Sequence, residues 1–364
     1  MNAVQMTDLD SQINEQKNKL INDRLDMSFG ELISMYEAGE IEIRPAFQRH
    51  FRWNDYQKTR FIESLLLGIP IPPIFVAEVP KENDERIWEV VDGLQRLSTV
   101  LSFFGVLKGN EKMVKKNKWK LGQGDRLPAL KDLQWDTLPQ KLRFTIKRYV
   151  CRVEIIRWNS DYDMRFELFN RLNTGGTHLT PQEIRNAIYR DISPVFNDFL
   201  EKLSKNTNFQ TLIGLNEKQK NELFDQELIL RFLSLYKNNG KINQSIAQYM
   251  SKFMRESIEN QNFNYNLHEN IFNKVVEILL PLKKDIFRQK DGSFATALYD
   301  TIMIGVAEHI NLYENKDIKI IEDKIWNEVR QHKILLKFSR KGGNNQFQRV
   351  KNRLKIAKEI FGNI

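Results

Sequence analysis

The chain reads as an α+β fold followed by an all-helical one, and three observations predict this. Between Ile41 and Arg157, short runs rich in β-branched residues alternate with segments whose apolar residues recur at helical spacing. Beyond about Ile192 the strand signals stop. Amphipathic stretches at 224–236, 242–258, 271–280, 294–310 and 318–336 then follow, with no internal repeat. The length of 364 residues suits two domains at roughly 100–200 residues each. The expected layout is a helical extension over 1–27, a mixed domain over 28–190 and an all-helical domain over 191–364 with a basic C-terminal segment.

Taken in order, Ser28-Phe29-Gly30-Glu31 forms a capping box, which predicts a helix that stops near Gly39. Ile41-Glu42-Ile43 alternates like a short strand and leads into Arg44-Pro45-Ala46-Phe47-Gln48-Arg49. Asn54 caps a helix with Phe61, Ile62, Leu65 and Leu66 on its apolar side, ending at Gly68. The runs from Ile74 to Val79 and from Ile87 to Val91 form a hairpin across the charged stretch from Lys81 to Arg86. Asp92-Gly93 then turns into a helix from about Leu94 to Phe104. The stretch 108–140 is basic, contains Gly and Pro, and reads as an irregular insertion or long loop. Val150 to Arg157 returns to strand alternation, with Cys151, Val153 and Ile155 on one face. A helix starting at Ser160-Asp161-Tyr162-Asp163 runs into Asn173-Thr174-Gly175-Gly176. Thr180-Pro181-Gln182-Glu183 starts another, with an N-cap threonine, proline in the first turn and a box glutamate.

Composition excludes several classes. One cysteine, Cys151, leaves no internal disulfide framework and no multi-cysteine metal site; it reads as a small core residue rather than a nucleophile. The polar N-terminus lacks the apolar core of a signal peptide. The most apolar stretch, 65–79, is broken by Gly68, Pro70, Pro72 and Pro73, and is shorter than the ~20 residues a membrane helix needs. A soluble, cytoplasmic protein with no membrane partner is the expectation. The five histidines show no metal-ligand spacing, and no metal-binding residue is assigned. There is no Gly-x-x-x-x-Gly-Lys-Ser/Thr loop and no Gly-x-Ser-x-Gly elbow. Between Arg330 and Lys358 ten basic residues occur without a carboxylate, enough to account for the whole formal excess of +9. Such a stretch fits nucleic acid as partner, with Arg340, Lys341, Arg349, Lys351 and Arg353 as contacts; a solvated helix face has the same composition.

Three segments carry candidate chemistry. Asp92-Gly93-Leu94-Gln95-Arg96 lies between a strand and a helix, where the helix N-terminus favours phosphate and Gly93 permits close approach. Arg96 can add a bidentate phosphate contact, and Asp92 can bind a ribose or hold Mg²⁺ with the phosphates. The plainer alternative has Asp92 as an N-cap and Arg96 on an exposed helix face. In Phe47-Gln48-Arg49-His50-Phe51-Arg52-Trp53, three aromatics can anchor a loop that presents Gln48 and Arg49 to a ligand, or simply pack. Asn173 to Gly176 can form a pocket wall with Asn173 and Gly175, or a helix C-cap.

Four ordered segments resemble one family. They are Phe47-Gln48-Arg49-x-Phe51-x-Trp53; Leu67-Gly68-Ile69-Pro70-Ile71-Pro72; Val90-Val91-Asp92-Gly93-Leu94-Gln95-Arg96-Leu97; and Phe169-Asn170-Arg171-Leu172-Asn173-Thr174-Gly175. The set is similar to the GmrSD restriction-endonuclease N-terminal domain family over about residues 28–190, with Asp225-Gln226-Glu227-Leu228-Ile229-Leu230-Arg231-Phe232 similar to its helical continuation. Leu94 replaces the first Gln of that family's Asp-Gly-Gln-Gln-Arg. The resemblance implies a ParB/sulfiredoxin-like fold and an NTP-binding subunit, with hydrolysis left open, in a bacterial antiphage or restriction system acting on foreign or modified DNA. It implies a pocket of Gln48, Arg49, Asp92, Gly93, Gln95, Arg96, Asn173 and Gly175. Asp92 and Arg96 act on an NTP, and Mg²⁺ is a further candidate cofactor. Relatives often carry an HNH nuclease domain. Glu308-His309-Ile310 lacks its Asp-x-x-His arrangement, so DNA cleavage is expected to need a partner nuclease or another defence protein. The alternative is a non-enzymatic DNA-binding or adaptor protein with a degenerate nucleotide pocket.

Overall fold

The β-type runs of the first half assemble into one five-stranded mixed sheet. A computed structural model describes residues 9–14, 21–43, 53–81, 85–109, 111–157, 160, 166, 168–169, 171–172, 179–190, 192–237, 242–314, 316–335 and 346–363. The strands are β1 (Asn22–Ser28), β2 (Ile41–Glu42), β3 (Ile74–Pro80), β4 (Arg86–Asp92) and β5 (Val150–Ile156), in the order β1-β5-β3-β4-β2. β3 and β4 form the expected antiparallel hairpin, β3 lies parallel to β5, and β2 parallel to β4. Cys151, Val153 and Ile155 of β5 are buried, as their alternation predicts. They share one core with Val76, Val90, Ile62, Leu65, Leu97 and Leu101.

The helices around this sheet start where their caps lie. The Phe29–Ala38 helix has a complete Ser28/Glu31 capping box and ends at left-handed Gly39. The Asp55–Leu66 helix has Asn54 and Gln57 in the same reciprocal arrangement. The Leu94–Phe104 helix runs over the expected residues.

One expectation is corrected here and another is extended. The segment before residue 28 is not simply helical: residues 9–14 are helix, but Asn22–Ser28 is edge strand β1, antiparallel to β5. Its residues Asn22 to Met27 are largely solvent-facing, so no hydrophobic alternation marks it. Ion pairs across the register hold it, Arg24 to Glu154 at 3.1 Å and Arg152 to Asp26 at 3.3 Å, with Arg157 joining Asp23. The stretch 108–140 is irregular yet packed. Leu121, Leu130 and Leu138 are buried, Trp135 stacks on Phe104 at 3.6 Å, and Trp119 donates to Ser102 Oγ at 3.2 Å. Glu63, buried on the Asp55–Leu66 helix, accepts from the backbone N–H groups of Arg126 and Leu127 at 2.7 and 2.6 Å. Gly124 makes room for this, because a Cβ there would sit 2.5 Å from Glu63 Oε1. A helix over Gln140–Arg148, absent from the sequence reading, then leads into β5.

The chain divides into two compact units, Met1–His178 and Leu179–Ile364. The boundary expected at 190 therefore falls earlier. The Pro181–Arg190 helix, started by the reciprocal Thr180/Glu183 box, belongs to the second unit, where Arg185 donates to Ser251 Oγ and Ala247 O. The helix expected from Ser160 lies mostly outside the described residues.

The regular elements described in the second unit are helical. Pro194–Ser204, Thr207–Ile213, Phe224–Leu235, Ile246–Glu259, Tyr265–Leu279, Thr296–Glu308 and Phe347–Gly362 are its main helices. Thr296–Glu308 is apolar on every side and buried from Ala297 to Ala307, the pattern of a central helix. Inside it Asp300 takes both Arg231 and Arg353 as partners, and Arg185 pairs with Glu227 at 3.6 Å. The polar residues of 225–232 are thus core partners. The helix expected over 318–336 is broken: an α-helical Ile318–Asp323 passes into a π-helical turn, Lys324–Val329. Among the described residues no helix is long and apolar enough to cross a membrane.

Candidate nucleotide site

The Asp92–Arg96 segment begins where β4 ends. Gly93 takes φ +93°, a left-handed conformation that favours glycine, and turns the chain into the Leu94–Phe104 helix. Space enforces the same choice, since a Cβ at Gly93 would lie 3.0 Å from Ile74 Cγ1 and 3.2 Å from Arg96 Nη2. Unlike the two capping-box helices before it, this helix has no side-chain cap and no acidic residue in its first turn. A helix of this length carries positive potential at its start.

Arg96 is neither on an exposed face nor free. Its Nη1 donates to Pro72 O at 3.1 Å, and its Nη2 donates to Pro73 O at 3.1 Å and to Asp92 Oδ2 at 2.9 Å. The Arg96 side chain is 11 % exposed and that of Asp92 33 %. Prolines have carbonyls but no N–H, so a segment such as Ile69-Pro70-Ile71-Pro72-Pro73 must borrow donors from elsewhere. Arg96 supplies two, and Tyr149 OH supplies a third to Ile69 O at 2.7 Å. Gln95 Oε1 accepts from the backbone N–H of Trp53 at 3.1 Å, and the Trp53 ring packs edge-on against Phe61 at 5.5 Å. Hydrogen bonds thus join three of the four motif segments through two adjacent side chains. Leu94 packs against the core.

The arrangement brings Asp92, Gly93, Gln95 and Arg96 together. Gln48, Arg49, Asn173 and Gly175 lie outside the described residues. Sequence reasoning missed the Pro72 and Pro73 carbonyls and Tyr149, although two consecutive prolines beside a lone arginine four residues after an aspartate were a usable signal. As for a bound group, the uncapped helix start suits phosphate. Asp92 is the carboxylate that could share Mg²⁺ with phosphates, which is how that ion is commonly held. Among the described residues no three His, Cys, Asp or Glu side chains converge as a metal cluster. Cys151 is buried, and burial pushes its thiol up to about 11, which suits a core residue.

The basic C-terminal segment is corrected at one residue. Arg353 is wholly buried, with Asp300 Oδ2 3.4 Å from its Nη2, so it faces the core and not a nucleic acid. Arg349 and Lys351 are half-buried on the Phe347–Gly362 helix, and Lys351 Nζ lies 6.0 Å from the Phe347 ring centre. Arg340 and Lys341 lie outside the described residues.

No curated protein and no solved structure matches the chain significantly. Residues 29–190 match the family model described as GmrSD restriction endonuclease, N-terminal domain, and over that segment the chain is similar to this family.

Proposed function

We propose that the protein is a nucleotide-binding component of a restriction system acting on foreign or modified DNA, with the ParB/sulfiredoxin-like arrangement implied by the family. The supporting observation is the uncapped start of the Leu94–Phe104 helix, reached through left-handed Gly93 and flanked by the Asp92–Arg96 pair. In this reading an NTP places its phosphates at the helix start. Arg96 turns part of its guanidinium toward them while it keeps the Pro72–Pro73 segment in place. Asp92 holds the sugar, or Mg²⁺ when it is bound with the nucleotide; the metal would supply charge neutralisation on the phosphates. Gln48, Arg49, Asn173 and Gly175 complete the pocket, a partner nuclease cuts the DNA, and the basic C-terminal segment contacts nucleic acid.

Leu94 favours a second reading. Packed against the core, it cannot offer the polar side chain of the family's motif, and Arg96 already has three protein acceptors. A site with these properties suits a DNA-binding or adaptor protein whose pocket is inert. Calorimetric titration with ATP, GTP, CTP and UTP plus Mg²⁺ separates the two. Saturable binding that is lost in Arg96→Lys, in a variant that still melts cooperatively, carries the first. Absence of binding by all four nucleotides moves the assignment to the adaptor.

A further inference from the structure

The helical unit contains a cleft of about 580 Å³ that the site at Asp92–Arg96 does not involve. It lies where the Gly214 turn and the 285–292 loop meet the π-helical turn Lys324–Val329. π-turns are rare and are frequent at functional sites, because the widened ring rotates one side chain out of the helical pattern. Here the backbone N–H of Arg330 reaches back five residues to Ile325 O at 3.0 Å. Ile325 and Val329 stay fully buried, while Trp326 is turned out to 41 % exposure and lines the cleft.

The indole is held in place from behind. The Arg330 guanidinium lies 4.2 Å from the Trp326 ring centre, and its Nη2 donates to the carbonyls of Asp285, Ile286 and Arg288. Arg288 in turn donates to Ile213 O and Gly214 O, at 2.8 and 2.5 Å. Both arginines thereby fix the cleft wall and keep their positive charge beside it. Lys283, at the entrance to the loop, has φ 57° and ψ −168°, a region that is essentially glycine-only and whose strain tends to gather at ligand sites. The rest of the lining is polar: Asn216, Gln219 and Gln289 offer amides, exposed Lys290 offers a cation, and exposed Asp285 adds one carboxylate against the three basic side chains Arg288, Lys290 and Arg330.

We propose that this cleft binds a nucleotide unit, with the base stacked on Trp326, its edge hydrogen-bonded by the amides and its phosphate at Lys290. A fixed exposed indole beside positive charge is the combination that takes bases without demanding one sequence. The unit can come from a free nucleotide or from an unpaired nucleotide of a strand. The proposal does not depend on nucleotide binding at Asp92–Arg96.

The test is fluorescence anisotropy of a labelled oligothymidylate titrated with the full chain, using unlabelled oligonucleotide or thymidine monophosphate as competitor. Trp326→Ala should weaken binding about 5- to 140-fold, the loss of one stacked base, and Trp326→Phe should recover most of it. Lys290→Glu should weaken binding and flatten its salt dependence. Displacement by the monophosphate identifies a free nucleotide as ligand, displacement by the oligonucleotide alone identifies a strand, and both support the cleft. Unchanged affinity in Trp326→Ala and Lys290→Glu, or no saturable binding at all, overturns it. So does loss in Arg96→Lys while the cleft variants bind normally, because that places the contact in the other unit. Should Trp326→Ala melt early, Trp326→Phe and Lys290→Glu carry the test.

Discussion

One guanidinium, that of Arg96, serves two proline carbonyls and a carboxylate, so its loss should be felt in stability before any ligand is considered. Arg96→Ala removes the donors to Pro72 O and Pro73 O and leaves Asp92 without its partner. Pro72 is exposed and Pro73 and Asp92 are half-buried, so water replaces part of what is lost; at roughly 0.5–1.5 kcal/mol for each hydrogen bond the expected cost is about 2 kcal/mol by chemical denaturation. Arg96→Lys keeps the charge but cannot span three acceptors, and should recover less than half of that. Gly93→Ala should cost about 2 kcal/mol, since left-handed backbone penalises any Cβ and Ile74 already stands 3.0 Å from where it would go. Cys151 makes a pH prediction. Below pH 9.0 its thiol is neutral in the folded and unfolded chain alike, and its stabilising effect is fully present. Between 9.0 and about 11 only the unfolded chain releases the proton, so stability falls as pH rises through that window. Buried tyrosines such as Tyr299 and Tyr313 are also raised and act in both proteins, so comparison of wild type with Cys151→Ala across the window should show the steeper fall in wild type, and thiol reagents should leave the native protein unmodified near neutral pH.

Elements were legible where local physics alone decides them. Ser28/Glu31, Asn54/Gln57 and Thr180/Glu183 each satisfy backbone groups within four residues, so the helix starts could be read directly. The β3–β4 hairpin and the inward face of β5 follow from alternation. β1 was not legible, because an edge strand with polar side chains is held by ion-pair partners 126, 130 and 134 residues away. The packing of 108–139 was hidden for the same reason: its backbone donors are satisfied by Thr59 and Glu63 on a distant helix. At the candidate site the motif residues were legible, but the inward direction of Arg96 depends on carbonyls 23 and 24 residues earlier. Glu63 provides the check at this scale. Glu63→Ala deprives two backbone N–H groups of a charged acceptor and should cost on the order of 3 kcal/mol. Limited proteolysis should then cut within 108–139 in the variant at protease levels that spare wild type, while uniform resistance would mean that the tryptophan packing suffices without Glu63.

Across the whole molecule the question is how much of the formal +9 is available to an anionic partner. The ten basic residues between Arg330 and Lys358 look like one patch in the sequence, but the fold divides them. Arg353 is spent inside the core on Asp300, Lys358 pairs with Glu308 at 2.9 Å, and Lys355 pairs with Glu359 at 3.7 Å. Arg330 braces three carbonyls beneath Trp326. Lys351 differs from these: it is half-exposed, and among the described residues its ammonium lies 6.0 Å from the Phe347 ring centre. Counterion release makes the logarithm of DNA affinity fall with the logarithm of salt concentration, with a slope of about −0.9 per phosphate neutralised on B-DNA. If duplex DNA contacts this segment, Lys351→Ala should make the slope shallower by about 0.9 and leave the melting temperature nearly unchanged. Arg353→Ala should do the reverse. It leaves Asp300 with Arg231 alone in a buried cluster, which should cost about 3 kcal/mol of stability. In protein that remains folded, the salt slope should match wild type. A shallower slope in Arg353→Ala at a temperature where it is folded would mean that the buried arginine reaches DNA after all, through an opening of the Phe347–Gly362 helix. Equal slopes in all three proteins would remove this helix from the DNA contact and leave residues outside it to supply the charge.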